Sequence, residues 1–150
     1  MYNKKTYTNG QVVNDAEVLN GIEDTLASLY AEFNGVEFWR NDAPTAEFAA
    51  QELIFATIRY ITAYEIIYRH GITDAQSEIM STGKIPVKYG KVKLQSCAEH
   101  VYYRTVTFNQ SGGGCTFNIS ACTRRAITTS PANSTQNKFV IPIAIKVYYL

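Results

Sequence analysis

The chain has 150 residues, of which 46% are hydrophobic and 18% are charged, and its formal net charge is +1. This composition excludes an intrinsically disordered protein and allows one good hydrophobic core, or two small domains that support each other. The first lysines are not followed by an apolar segment, and charged side chains interrupt the most apolar stretch, residues 48–68. We therefore predict neither a signal peptide nor a membrane span.

The near-neutral charge is the average of two unlike halves. Residues 1–80 hold five basic and twelve acidic side chains, a net charge of −7, whereas residues 81–150 hold nine basic side chains and one acid, a net charge of +8. Such asymmetry indicates two structural units, and it favours docking to an oppositely charged partner or head-to-tail contacts between copies. The predicted regions are an extended anchor arm (1–13), a helical assembly region (14–80) and an antiparallel β domain (84–150).

The first predicted helix follows a turn at Asn9 and Gly10, two residues that tolerate positive φ. Asn14 is its predicted N-cap, and Gly35 is predicted to end it. Its apolar residues recur at spacings of three and four, which is the seam of two heptads. These residues are Leu19, Ile22, Leu26, Leu29 and Phe33. The spacing leaves open whether the helix packs on its own chain or on copies of itself.

An aromatic residue, an Asn-Gly turn and a helix of the form A-x-x-L-N-x-I-E follow one another near the start of the chain. The residues are Tyr7-Thr8-Asn9-Gly10, Ala16, Leu19-Asn20 and Ile22-Glu23. This run resembles the N-terminal anchor segments of bacteriophage head-fibre, tail-fibre and baseplate proteins. In that family the segment fixes a fibre to the particle and starts a trimeric bundle.

The resemblance implies a homotrimer in the virion, assembled in the host cytoplasm and attached to capsid or tail proteins. The residues it implies as the virion anchor are Tyr2, Tyr7, Asn9 and Gly10. The chain lacks the long repetitive shaft of such fibres, so an extended fibre and a compact decoration protein both remain open.

A second helix is predicted over residues 45–70, capped by Thr45 and ended at His70-Gly71. Its apolar residues fall on several faces, so the helix should be buried on most sides. The first helix of one chain offers too little cover, and we therefore predict packing against other subunits. The residues predicted to make these contacts, besides the seam, are Ile54, Ile58 and Ile61.

The period changes from 3.6 to 2 after residue 83, which indicates strands. A bulge at Gly90 would gather four lysines on one face and the apolar residues on the other. These lysines are Lys84, Lys88, Lys91 and Lys93. Further strands are predicted over 99–108 and 115–122, joined as a hairpin through residues 109–114, and over 139–149. The predicted fold is α+β, with a coiled-coil-like helical assembly region followed by a small antiparallel β-sandwich or barrel.

Few residues suit catalysis or metal binding. A set of four potential zinc ligands is Cys97, His100, Cys115 and Cys122, but their spacing fits no zinc motif. We interpret the cysteines as small buried residues of strands. Neither histidine stands in a nucleophile context. We predict no enzymatic activity, no cofactor and no metal site.

The predicted lysine face leaves the choice of function open. It could contact an acidic ligand such as the phosphates of a nucleic acid, with Tyr102 and Tyr103 adding stacking. A solvated or subunit-facing surface competes with that interpretation, because no nucleic-acid module signature is present. A third interpretation is a lectin-like surface that meets host glycans through Tyr, Asn and Lys side chains. The main prediction is a structural virion protein, a trimeric head or tail fibre or decoration protein that displays its β domain.

Overall fold

Two antiparallel β-sheets and one helix make up the part of the chain that the computed structural model describes, residues 4, 6, 16–57, 59–72, 79–97, 99–127 and 133–149. The helix is α1 (Ala16–Asn34), and the strands are β1 (Val36–Arg40), β2 (Gln51–Ala56), β3 (Ile61–Gly71), β4 (Ile79–Ser81), β5 (Ile85–Pro86), β6 (Lys91–Cys97), β7 (His100–Ser111), β8 (Gly114–Ile119), β9 (Thr123–Ala126), β10 (Asn133–Thr135) and β11 (Phe139–Tyr149). Strands hold 57% of these residues.

Each sheet combines strands from distant parts of the chain. Sheet A has the order β1-β11-β3-β4, and β5 also pairs with β3. Sheet B has the order β10-β9-β7-β8-β2, and β6 also pairs with β7. Both sheets therefore draw strands from either side of residue 84. The predicted boundary between a helical half and a β half does not divide two structural units.

The hydrophobic core lies between the two sheets, which form a β-sandwich. Burial alternates along β7 and β8, as expected where one face of a strand meets the core. Tyr64 of sheet A stacks on Phe108 of sheet B with ring centroids 5.3 Å apart, and Phe117 contacts both rings. Phe48, in the connection between β1 and β2, is 5% exposed and packs edge-on against Trp39.

The predicted second helix was wrong, and the predicted fold class was wrong with it. Residues 45–70 contain β2 and most of β3, and the described chain has one 19-residue helix and no extended coiled-coil region. The reason lies in β3, which runs between β11 and the pair β4 and β5. A central strand is apolar on both faces, and periodicity alone does not distinguish such a strand from a buried helix. The β-branched and aromatic residues of β3 suit a strand.

Several local predictions are confirmed. Helix α1 ends at Asn34, and Gly35 follows it with a φ of +70°. Strands β7 and β8 form the predicted hairpin, with positive φ at Gly112 and Gly113 in its turn. Strand β11 occupies the predicted range 139–149. The predicted N-cap, Asn14, lies outside the described residues.

Candidate assembly surface and polar sheet face

The apolar side of helix α1 is largely exposed. Other buried and half-buried positions recur every three or four residues along a neighbouring side of the helix, at Ala16, Asn20, Glu23 and Ala27. The seam residues are 51%, 46%, 44% and 75% exposed at Ile22, Leu26, Leu29 and Phe33, and Leu19 is half-buried. Val18 and Tyr30 widen this exposed apolar strip. A helix that packs only on its own domain would show the reverse orientation.

The C-terminal end of α1 is fixed to sheet A by a close contact. A β-carbon at Gly35 would lie 2.9 Å from the ring of Tyr148, so only glycine fits there. Lys84 donates from Nζ to the Glu32 carbonyl at 3.3 Å, and its Nζ lies 4.4 Å from the centroid of the Tyr148 ring. The negative end of the helix dipole and the face of the Tyr148 ring both stabilise a cation at this position. These contacts orient α1 on the sandwich.

Tyr148 is held in turn by Glu65 of β3. The Tyr148 hydroxyl donates to Glu65 Oε2 at 2.8 Å, and Ser81 donates to Oε1 of the same carboxylate. Burial acts to raise the pKa of Glu65, but these two hydrogen bonds and the charge of Lys146 outweigh it and leave the pKa lowered. Burial, with the hydrogen bond to Glu65, raises the pKa of Tyr148 to about 12.

We expect this contact to make the protein sensitive to alkaline pH. The unfolded chain releases the Tyr148 proton near pH 10.0, whereas the folded chain keeps it up to about 12. The raised pKa therefore stabilises the folded state below pH 10, and this contribution is lost as pH rises from 10 to 12. Tyr148→Phe should reduce the fall in the free energy of unfolding over that interval, measured by urea unfolding at stepped pH.

The exposed Tyr60 provides the matched control, since Tyr60→Phe should leave the pH profile as it is. Burial also raises the pKa of Cys115 to about 11, so part of the alkaline loss remains in the Tyr148→Phe variant. An unchanged profile in Tyr148→Phe would contradict the role given to this side chain.

Two other residues predicted for assembly lie on strands and not on the α1 seam. Ile54 is 71% exposed and lies on sheet B. Ile61 is 0% exposed and packs between the sheets, so its assignment to an intersubunit contact was wrong. The remaining predicted residues, Ile58, Tyr2, Tyr7, Asn9 and Gly10, lie outside the described residues.

The predicted lysine face is divided between the two sheets. Lys84 lies beside α1 on sheet A, Lys88 is in the turn before β6, and Lys91 and Lys93 lie on β6 in sheet B. The single-face prediction was wrong because β5 pairs with β3 whereas β6 pairs with β7. Gly90 lies where the chain crosses from one sheet to the other, and it is not a bulge within one strand.

Sheet B has a polar outer face, which we define by the residues of β6, β7 and β8 that alternate with the buried ones. Lys93 pairs with Thr105 and Lys91 with Thr107 across β6 and β7, and Thr107 pairs with Asn118 of β8. An open depression of about 390 Å³ lies on this face. Most of its accessible lining surface is apolar, and it includes Ala50 and Ile119. Its polar lining residues are Gln51, Thr105, Thr107, Asn118 and Ser120, whose hydroxyl and amide groups can both donate and accept hydrogen bonds.

The cysteines and histidines do not converge on a metal site. Cys115 and Cys122 are buried in the core, whereas Cys97 is exposed. His100 contacts Arg124 through its Nε2, and His70 contacts Ser96 through its Nδ1. Within the described ranges, no group of three or more His, Cys, Asp or Glu side chains is placed to hold a metal ion.

The sequence analysis missed a buried arginine in the core. Arg104 is 0% exposed, and burial lowers its pKa to about 10. The guanidinium donates to main-chain carbonyls, and the three shortest bonds reach Phe48 at 2.6 Å, Val140 at 2.7 Å and Ser120 at 2.8 Å. The alternation along the strand could have revealed it, because Arg104 lies two residues before Val106 and shares the inward side of β7 with it.

No family model matches the chain, and neither a curated protein nor a solved structure matches it. Within the described residues, no helix is both long enough and apolar enough to cross a bilayer.

Proposed function

We propose that the protein is a structural component of a bacteriophage particle, a homotrimeric head or tail fibre or decoration protein. In this proposal, α1 helices of three subunits pack together and each subunit displays its β-sandwich. The observation that carries the proposal is the outward orientation of the α1 seam, whose central residues are 44–51% exposed and whose last residue, Phe33, is 75% exposed.

Burial of the seam contributes free energy to association. Full burial of an exposed Leu, Ile or Phe side chain stabilises by roughly 1.5–3 kcal/mol, and most seam residues are already about half-buried, so each gains roughly half of that value. In a trimer this gain is opposed by an association cost on the order of 4–15 kcal/mol for each subunit added. The two terms are of similar size, which favours a reversible assembly.

The residue types at the seam favour three subunits over two. The spacing places Leu19, Leu26 and Phe33 at heptad position a, and Ile22 and Leu29 at position d. Leucine at a with isoleucine at d, the combination of Leu19 and Ile22, shifts the preference of helix bundles from dimers to trimers and tetramers, and Leu29 departs from it by placing leucine at the second d position. Phe33 lies next to the sandwich, so three Phe33 rings would close the base of the bundle.

Charge on α1 is compatible with a symmetric bundle. The helix carries four acids and no basic residue, and only Glu23 and Glu32 fall at positions that flank the seam. Lys84 of sheet A lies at the carbonyl of Glu32, and Lys4 forms an ion pair with Asp24 on the far side of the helix. These cations reduce the repulsion that parallel acidic helices would otherwise experience.

The virion location rests on the resemblance of residues 7–23 to phage anchor segments. It is tested by quantitative mass spectrometry of purified particles of the phage that encodes the chain. We expect the chain to be present in a copy number divisible by three. Absence from washed particles, or presence only in the lysate, would contradict the proposal.

A nucleic-acid-binding function has less support than it had on sequence grounds. Only two of the four predicted lysines, Lys91 and Lys93, remain together on one face. The exposed Arg125 of β9 lies on the same face, as the register partner of Val101. Three phosphate contacts still give little affinity at physiological salt, because non-specific binding grows with the number of neutralised phosphates.

A further inference from the structure

We propose that the polar outer face of sheet B binds an oligosaccharide that carries a carboxylate group. The depression beside β7 and β8 takes neutral sugar hydroxyls, and the lysines of β6 take the carboxylate. This binding site is separate from the α1 seam, so it goes beyond the structural role proposed above.

Hydrogen-bonding groups of the depression are available to a ligand. Within the part of the chain that the structure describes, the side chains of Thr105, Thr107 and Asn118 make no hydrogen bond to another residue. Thr105 uses its main-chain N–H to bond Ser120 Oγ at 2.9 Å, which fixes the spacing of β7 against the end of β8. A rigid strand pair thus presents unpaired hydroxyl and amide groups, the donors and acceptors that sugar hydroxyls match.

The lysines lie directly beside these groups. Lys93 and Lys91 are each the register partner of one lining threonine, so their strands run side by side about 5 Å apart. The Nζ of Lys93 lies 4.4 Å from the centroid of the Tyr103 ring, which holds the ammonium over this face. Neither lysine forms an ion pair with an acid in the described ranges. Their charges are available to a carboxylate.

The distribution of charge favours an oligosaccharide over a nucleic acid. Lys91 and Lys93 lie at the β6 side of the depression, and the exposed Arg125 of β9 lies further along the same face, as the register partner of Val101. Glu52 of β2 is the register partner of Asn118 at the other side of the depression. A phosphodiester chain crossing this face would meet the Glu52 carboxylate, which repels it. Tyr103 is the one aromatic ring that this face offers along β6, β7 and β8 within the described residues, too few for successive stacked bases. A glycan with one acidic sugar at the β6 side and neutral sugars over the depression fits the pattern.

The test screens the full chain against immobilised sialylated, uronate-containing and neutral oligosaccharides, with oligodeoxythymidine as the polyanion control. We expect binding to carboxylated glycans over their neutral counterparts. The affinity for the best of them, measured by titration calorimetry, should fall roughly tenfold or more in the Lys91→Gln/Lys93→Gln variant, because charge-assisted hydrogen bonds are lost. Asn118→Ala should also weaken binding, by roughly three- to tenfold.

Lys88→Gln is the charge control, because Lys88 lies in the turn before β6 with its Nζ 5.1 Å from the centroid of the Tyr89 ring. It should leave the affinity within about twofold. The proposal is overturned if no carboxylated glycan binds above its neutral counterpart, or if Lys88→Gln weakens binding as much as the double variant. Lysine-dependent binding of oligodeoxythymidine that Asn118→Ala does not change would assign this face to nucleic acid. These outcomes are independent of the oligomeric state and of the virion location.

Discussion

Replacing Arg104 with methionine should lower the free energy of unfolding by about 3–5 kcal/mol. Three carbonyls, those of Phe48, Val140 and Ser120, would each lose a charge-assisted hydrogen bond, and the bonds to Phe48 and Val140 are buried. Such a bond is worth roughly 1.5–3 kcal/mol, and methionine recovers part of this loss because the buried charge disappears.

The position of Arg104 explains why the loss should be cooperative. The side chain extends from β7 in sheet B to Val140 of β11 in sheet A, and it also reaches the connection that leads into β2. Val140 has a φ of 50°, a conformation that a β-branched residue rarely adopts. The hydrogen bond to its carbonyl stabilises that conformation, so removal of Arg104 should loosen both sheets at once.

Urea unfolding of Arg104→Met against the unchanged chain measures the effect. The exposed Arg125 of β9 gives the control, and Arg125→Met should change the free energy of unfolding by less than about 0.5 kcal/mol. Arg104→Lys should be intermediate, because an ammonium keeps the charge but cannot reach several carbonyls together. If Arg104→Met is too unstable to purify, the lysine variant carries the comparison. Equal stability of all three proteins would contradict the role assigned to Arg104.

Leu26→Asp should dissociate the assembly and leave the sandwich folded. Leu26 lies at the centre of the seam and is 46% exposed in the single subunit, so the substitution costs little in the monomer. In a trimer it would bring three carboxylates together at the axis, where they lose hydration and repel each other. Because Leu26 is already half-buried, each lost leucine removes roughly half of the 1.5–3 kcal/mol of full burial, and with the repulsion of the carboxylates the association constant should fall on the order of 10³-fold.

Ser28→Asp is the matched control, because Ser28 is an exposed residue of the same helix outside the seam. It introduces the same side chain and the same charge, and it should leave the oligomeric mass unchanged. Light scattering gives the mass, and thermal unfolding gives the state of the sandwich. If Leu26→Asp unfolds the sandwich, the seam packs within its own subunit and the assembly proposal is wrong.

Local signals in the sequence predicted the features that depend on neighbouring residues. Gly35 ends α1 because the next residue needs positive φ, and the Gly112-Gly113 turn closes the hairpin for the same reason. The alternation along β11 gave its range, since one strand face repeats every second residue.

Features that depend on pairing between distant strands could not be predicted from the local sequence. Residues 61–70 were predicted as part of a helix because both faces of β3 are apolar, and its main neighbour β11 is remote in the sequence. The apolar residues are odd-numbered before Gly90 and even-numbered after it. Either a bulge or a crossing between sheets explains this switch, and only the pairing partners of β5 and β6 distinguish the two.

The candidate assembly surface was also predicted only in part. The spacing of the seam residues could be predicted from the sequence, but the side of the molecule that they face could not. The direction depends on the contact between Gly35 and Tyr148, which lies near the other end of the chain. The polar face of sheet B was missed because its lysines and threonines become neighbours only through the register of β6 and β7. Tertiary contacts therefore determine which residues of each pattern face solvent.

The most direct test of trimeric assembly through α1 is the solution mass of the full chain by light scattering across a dilution series. The subunit mass is 16.8 kDa, and we expect a mass three times that value, falling toward one subunit only at high dilution. A mass of 16.8 kDa at every concentration would contradict the account, because the exposed seam of α1 would then have no second copy to cover it.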